Sequence, residues 1–216
     1  MKKYLMIAAA ALAAAALVSC NPDNEAGGGG GTVNVPSWPE ADATTVCLNE
    51  VNGSLKGIEL YNPTDAPVNL EGWTIVKNNE VPPTEGAPYW TGVATDVIPA
   101  KGYMVIKASK ASATLAAMEI LFSTNAGTGG LSGKKAVKLE LKNAAGVVVD
   151  FFDRGFTKAG NTEPALEDWG DNSAARNQDG KAPWKVKAPS YGASNNAAEV
   201  IVTEANPDGK IVVDPE

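Results

Sequence analysis

The sequence predicts an all-β fold, an antiparallel β-sandwich with one short helix and an extra C-terminal hairpin. Valine and leucine occupy every second position of residues 136–142, with charged residues between them. Strict alternation of this kind is typical of a strand with one face in the core and one in water. Short strand-like segments separated by turns rich in Asn, Pro and Gly, with almost no helical periodicity, indicate two packed sheets.

The first four strands are predicted from short apolar segments bounded by turn residues. They cover residues 46–51, 57–61, 72–77 and 103–107. The intervening segments Asn52-Gly53, Asn62-Pro63-Thr64-Asp65 and Ala100-Lys101-Gly102 carry the residues that turns require. A hairpin follows, because residues 143–146 turn the chain between 136–142 and a second strand at 147–152.

Three segments depart from this pattern. Residues 112–120 contain good helix formers after a serine that can cap them, and predict a short helix. Residues 153–194 are rich in Gly, Pro, Asn and Asp, and predict a long ordered loop or short edge strands. The turn 206–209 predicts a terminal hairpin between 200–205 and 210–213, outside the main domain.

Composition excludes several classes of function. The chain has 216 residues and contains no histidine, so a Ser-His-Asp or Cys-His hydrolase and an imidazole zinc site are excluded. Without Lys2 and Lys3, 16 basic residues stand against 25 acidic ones. Nucleic acid is therefore not an expected partner.

The N-terminus predicts export. A basic start, residues 1–3, precedes an apolar run over 4–18. At about 1.5 Å per residue, this run is too short to span a bilayer of about 30 Å comfortably, and it is typical of a secretory signal. The run ends in Leu17-Val18-Ser19-Cys20, which resembles a bacterial lipobox. We therefore expect a signal peptide over 1–19 and lipid attached to Cys20; the alternative is an ordinary signal with a chance cysteine.

A tether is expected to follow the lipidated cysteine. Residues 20–43 include an acidic stretch and five consecutive glycines, which favour a flexible coil. The acidic residues after Cys20 resemble the surface-export signals of Bacteroidetes lipoproteins. The expected location is the outer membrane, with the protein lipid-anchored and facing outward.

Residues 58–75 (IELYNPTDAPVNLEGWTI) strongly resemble the lamin tail domain family, and 98–106 (IPAKGYMVI) is similar to its next strand entry. The segments 131–139 and 146–150 resemble the family's central hairpin, and Ser173, Arg176 and Trp184 its closing segment. The resemblance implies an immunoglobulin-like sandwich over residues 44–196, followed by the hairpin at 197–216. It attaches no fixed reaction, and bacterial members are commonly extracellular modules.

Few residues are candidates for a functional site. Tyr89 and Trp90 are the best candidates for an exposed ligand contact, since paired aromatic rings suit a sugar or a protein partner. Cys47 is expected to be a small buried residue. The acidic loop 167–172 offers oxygen atoms to Ca²⁺ without the spacing of a calcium loop, so a solvated loop is favoured. We expect no catalytic residue, no metal site and no cofactor.

The expected function is non-catalytic binding or scaffolding at the outer surface. Its partners would be the membrane, through the N-terminal lipid, and an envelope protein or glycan that the sequence does not identify. One alternative is glycan binding through Tyr89 and Trp90. A less favoured one is a hydrolase that uses paired carboxylates.

Overall fold

Eleven β-strands lie within the described residues of the computed structural model, which are 42–78, 87–135, 137–154 and 169–203. The strands are β1 (Cys47–Asn52), β2 (Gly57–Tyr61), β3 (Val68–Asn69), β4 (Thr74–Asn78), β5 (Trp90–Thr91), β6 (Val97–Ile98), β7 (Tyr103–Lys107), β8 (Val137–Lys142), β9 (Val148–Arg154), β10 (Ser173–Gln178) and β11 (Lys181–Lys187). A helix, α1 (Ala113–Ala116), and a 3₁₀ turn, Asn195–Ala197, complete the regular structure of this part of the chain.

The strands form two main antiparallel sheets. One has five strands in the order β11-β10-β1-β2-β7, and the other has four in the order β5-β4-β8-β9. A small additional sheet pairs β3 with β6. This is the mostly antiparallel β architecture that the alternating sequence pattern predicts.

The core lies between the two main sheets and consists mainly of aliphatic side chains. Ile58 and Leu60 of β2 and Leu139 and Leu141 of β8 are fully buried in one continuous apolar cluster. The rings of Phe152 on β9 and Trp184 on β11 pack with their centroids 4.7 Å apart. Each fully buried side chain of this size contributes about 1.5–3 kcal/mol through removal from water.

Several predicted elements are confirmed. Residues 57–61 and 103–107 form β2 and β7 with the predicted bounds, and the hairpin of β8 and β9 is present. The helix predicted over 112–120 is shorter. Ser112 caps it, its Oγ accepting a hydrogen bond from the Leu115 amide, and α1 ends at Ala116. The chain then runs beside β7, where the Val105 amide donates to the Leu121 carbonyl at 2.9 Å.

The segment predicted as a long ordered loop or short edge strands, 153–194, is described only at 153–154 and 169–194, and the edge-strand alternative holds there for β11, at the edge of the five-stranded sheet. It contains β10 and β11, of six and seven residues, and β10 lies inside the five-stranded sheet between β1 and β11. The buried residues of β10 include Ala174 and Arg176. Because β10 has few large apolar side chains, its sequence shows no clear alternation of apolar and polar residues. For this reason the composition of the segment predicted a loop.

Other expectations lie outside the described residues. These are the signal peptide at 1–19, nearly all of the tether at 20–43, and most of the C-terminal hairpin. Of that hairpin, Val200 forms an antiparallel bridge with Lys187. Among the described residues, no helix is long and apolar enough to cross a membrane.

Candidate functional site

The outer face of the five-stranded sheet carries an unusual set of polar side chains. Asn49, Glu50 and Asn52 of β1 and Glu59 of β2 are all fully buried although they point away from the sandwich core. Glu50 and Glu59 are directly paired across the two antiparallel strands. The register shifts between Leu48 and Glu50, so a bulge at Asn49 changes which side chains share this face.

A covering segment, residues 188–197, buries these groups. The Ser190 amide and hydroxyl donate to Glu50 Oε2 at 3.1 and 2.9 Å. The Gly192 amide donates to Glu59 Oε2 at 2.6 Å. The Tyr191 hydroxyl donates to the Gly57 carbonyl at 2.7 Å. The two carboxyl groups therefore serve as acceptors for the donors of the covering segment.

Asp179, in the turn between β10 and β11, holds the far end of the covering segment. Its Oδ1 accepts hydrogen bonds from the Asn195 amide and from Asn49 Nδ2, both at 3.0 Å. Its Oδ2 accepts from the Tyr103 hydroxyl at 2.9 Å and from the Ser194 hydroxyl. Each oxygen of this carboxylate thus accepts two hydrogen bonds, and two of the four donors belong to the covering segment.

Burial shifts the ionisation of the pair. Burial raises the pKa of Glu59 well above its usual range, and the neighbouring Glu50 carboxyl raises it further. Burial also raises the pKa of Glu50, against hydrogen bonds from Ser173 and Ser190 that lower it. Burial makes the charged form of each carboxyl group more costly, and the neighbouring carboxyl adds repulsion, so both pKa values move upward.

Two oxygen atoms lie within hydrogen-bonding distance of the Ser190 hydroxyl. The Ser190 Oγ lies 2.9 Å from Glu50 Oε2 and 2.6 Å from Asn195 Oδ1, and both of these atoms are acceptors when Glu50 is ionised. A hydroxyl has a single proton to donate. The Ser190 hydroxyl can therefore donate to only one of these two oxygens at a time.

One buried cation borders the cluster. Lys187 of β11 is 1% exposed, and its ammonium group donates to the Asn177 carbonyl at 3.0 Å and to the Asn195 carbonyl. Burial lowers the pKa of Lys187. Lys187 thus fixes the 3₁₀ turn of the covering segment to β11. Glu50 and Glu59 are closed off from solvent, and together with the half-buried Asp179 they hold the covering segment in place.

The expected exposure of Tyr89 and Trp90 is wrong. Each ring is only 2% exposed, so neither presents a face to a ligand. Trp90 Nε1 donates to the Ser123 hydroxyl at 2.8 Å, which in turn donates to buried Asp96 at 3.0 Å. Gly127 packs directly against the Tyr89 ring. Residues 123–128 therefore cover both rings, a long-range contact that the local sequence does not reveal.

The other sequence candidates lie apart from this cluster or outside the described residues. Cys20 is outside them. Cys47 is a free, buried thiol, as expected, and burial raises its pKa. Of the acidic loop, Glu167 and Asp168 are not described, and Asp171 accepts a hydrogen bond from the Ser54 hydroxyl at 2.5 Å. Within the described ranges, no group of three or more Cys, Asp or Glu residues could hold a metal ion.

Sequence reasoning missed the acidic cluster. Both glutamates were in predicted strands, and neither was singled out. The signal that could have found them is the run of hydrogen-bonding residues Ser190, Tyr191, Ser194 and Asn195 close after β11.

One protein family matches more than half of the chain. The Lamin Tail Domain family matches residues 39–155. The matched span includes β1 to β9, whereas β10, β11 and the covering segment follow it. No curated protein matches the chain.

Proposed function

The chain belongs to the lamin tail domain family. We propose that it is a non-catalytic display protein of the bacterial cell envelope. In this proposal Cys20 carries the lipid that holds the protein to the outer membrane. The tether 20–43 separates the lipid from the sandwich, which serves binding or scaffolding at the outer surface.

The single observation that carries the proposal is the N-terminal sequence. A basic start, an apolar run of 15 residues and the sequence Leu17-Val18-Ser19-Cys20 precede a glycine-rich stretch. Each buried acyl CH₂ contributes about 0.8 kcal/mol, so a lipid with two or three chains holds durably.

The geometry of the acidic cluster supports a non-catalytic role. Glu50 and Glu59 have the paired arrangement that acid–base chemistry uses, yet both are closed off beneath the covering segment. A hydrolase would need such carboxyl groups to reach a substrate. The carboxylate-based hydrolase is therefore the less favoured alternative.

The experiment compares two cysteine variants of the full chain. Cys20→Ala should move the protein from the membrane fraction to the soluble fraction of cells, and should abolish incorporation of labelled fatty acid. Cys47→Ala is the matched control, because it removes the other cysteine and should stay in the membrane fraction. Retention of Cys20→Ala in the membrane would overturn the lipid anchor.

A further inference from the structure

Consecutive exposed residues without a polar side chain form the turn between β8 and β9. They are Ala144, Ala145, Gly146, Val147 and Val148, and we call them the apolar turn. Val147 is 57% exposed and Val148 is 42% exposed. Single exposed apolar residues are ordinary on a protein surface, whereas a contiguous run of them indicates a surface that meets a partner.

Asn143 occupies three of the amide groups of the apolar turn. Its Oδ1 accepts hydrogen bonds from the Ala145 amide at 3.0 Å and from the Val147 amide at 3.1 Å. Its carbonyl accepts from the Gly146 amide at 2.8 Å, and its own amide donates to the Val147 carbonyl at 2.9 Å. Burial of a backbone group that lacks a partner is costly, so these internal bonds make it easier to move the turn out of water.

The direction of β9 places the apolar turn at one end of the sandwich. Near the start of β9, Asp150 Oδ2 accepts a hydrogen bond from the Leu48 amide at 2.8 Å. At its end, Arg154 donates to the Gly133 carbonyl, and Gly133 lies against Gly53, the residue that follows β1. β9 therefore runs in the same direction as β1. The apolar turn precedes β9, so it lies at the end of the sandwich where β1 begins.

The tether enters at that same end. β1 begins at Cys47, and just before it the Ala43 amide donates to the Gly180 carbonyl at 2.8 Å. A flexible chain with the length of residues 20–43 spans about 25–30 Å on average. A lipid on Cys20 therefore keeps the apolar turn within reach of the bilayer surface. At such a high local concentration, a contact that is weak by itself becomes well populated.

The chemistry of the apolar turn favours lipid over a protein partner. Two described charged side chains border the turn, and their signs are opposite: Lys142 pairs with Val148 across the ladder, and Glu71 precedes Gly72, which lies beside Ala144. The turn offers no side-chain hydrogen-bond donor or acceptor, whereas protein interfaces carry about one hydrogen bond per 100–200 Å². The boundary between headgroups and acyl chains accepts apolar side chains without such bonds.

We propose that the apolar turn inserts into the surface of the bilayer that carries the lipid of Cys20, with Val147 and Val148 at the boundary between headgroups and acyl chains. This inference rests on the proposed function, because so small an apolar surface binds a bilayer only weakly without the lipid. Since the contact depends on apolar area, we expect equal insertion into zwitterionic and anionic vesicles.

The test places a fluorophore on the turn of the full-length lipidated protein in phosphatidylcholine vesicles. Val147→Cys in the Cys47→Ala background carries the environment-sensitive dye NBD, which spin-labelled lipids quench on contact. Val202→Cys in the same background is the matched control, since Val202 is also 57% exposed. It follows Ile201, whose amide donates to the Val186 carbonyl near the end of β11 that lies away from the tether. Quenching at position 147 should exceed quenching at position 202 at least about fivefold.

A charge placed in the turn should weaken the insertion. Ala145→Asp, combined with the label at position 147, should reduce the quenching at least about threefold, because an ionised carboxylate is costly to move out of water. Ala113→Asp is its control. It adds the same charge at an exposed position of α1, beside Ser112, whose amide donates to the Leu55 carbonyl in the turn after β1. Thermal unfolding of both variants checks that they are folded.

Three results would overturn the proposal: equal quenching at positions 147 and 202, equal quenching of Ala145→Asp and Ala113→Asp, or quenching that requires anionic lipid. Contact with a second copy of this chain would contradict it as well, and would shield the dye at position 147 in detergent without vesicles as the protein concentration is raised. Failure of the proposed function is distinguishable, because membrane fractionation of Cys20→Ala measures it separately. An anchored protein whose dye at position 147 stays unquenched would contradict this inference alone.

Discussion

Arg176 and Asp150 join the two sheets through a buried ion pair. Arg176 Nη2, on β10, lies 2.8 and 2.9 Å from the two carboxylate oxygens of Asp150, on β9. Both residues also bind the backbone of Leu48 on β1: Arg176 Nε donates to its carbonyl, and Asp150 Oδ2 accepts from its amide, each at 2.8 Å. Three strands from the two sheets are thus fixed by one pair of side chains.

Breaking this pair should be costly. Asp150→Asn leaves the Arg176 charge buried without its partner, and we expect it to lower the free energy of unfolding by about 3–5 kcal/mol. Denaturant titration measures the loss. The control is Asp65→Asn, because Asp65 pairs with Lys101 on the surface at 3.1 Å and should contribute at most about 1 kcal/mol. Equal effects of the two variants would contradict the structural role of the buried pair.

Stability should fall with rising pH because of Glu59. Its folded-state pKa is raised above the ordinary value of 4.5, so its contribution is complete below 4.5 and is lost as the pH rises through the folded value. Glu59→Gln is neutral at every pH and should flatten this decline, measured as the free energy of urea unfolding from about pH 5 to pH 8. The charged and titratable groups around Glu59, namely Glu50, Asp179, Lys187 and Tyr191, remain in both proteins.

The control for this measurement is Glu71→Gln, at an exposed position in the turn before β4. It should leave the slope of stability against pH as it is in the unaltered protein. If Glu59→Gln gives that same slope, Glu59 does not titrate as its surroundings indicate.

Gly57 should tolerate no side chain. A Cβ there would lie 2.8 Å from Leu115 Cδ2 and 2.9 Å from the Tyr191 hydroxyl, so Gly57→Ala must displace α1 or the covering segment. Overpacking of this kind costs about 1–3 kcal/mol. We expect a lower melting temperature and faster proteolysis within residues 188–197. Gly130→Ala is the control, since a Cβ there meets nothing within 4 Å; a comparable loss in both variants would count against the docking of Tyr191.

Cys47 should be unreactive in the folded protein. It is 1% exposed and burial raises its pKa, so little thiolate is present or accessible. A maleimide should label the native full-length protein at least about a hundredfold more slowly than the denatured one. With lipid on Cys20, denaturation should release one reactive thiol per chain. Rapid labelling of native protein at Cys47 would show that β1 opens readily.

Local patterns in the sequence predicted the strands of the core well. The bounds of β2 and β7 follow directly from short apolar runs between turns, and β8 alternates as a half-buried strand should. The missed strand β10 faces the core with Ala174 and Arg176, and its stability depends on Asp150, 26 residues earlier. No local pattern reports that contact.

The polar features were less predictable for the same reason. The sequence places Glu50 and Glu59 on strands, but their burial depends on residues 188–197, more than 120 positions later. Similarly, Lys134-Lys135 alone is a small charge cluster, and only the fold brings Lys56, Lys77 and Arg154 into contact with the same loop. Cross-strand register and loop docking, rather than composition, determine these surfaces.

The position of β1 between β2 and β10 has a mechanical consequence. Its hydrogen bonds to both neighbours lie perpendicular to its length. If the chain is pulled at the N-terminal end of β1 while the rest of the sandwich is held, the force acts along this strand and shears both ladders at once. In such a geometry many hydrogen bonds must break together, so the strand resists being pulled out better than one whose hydrogen bonds break one at a time.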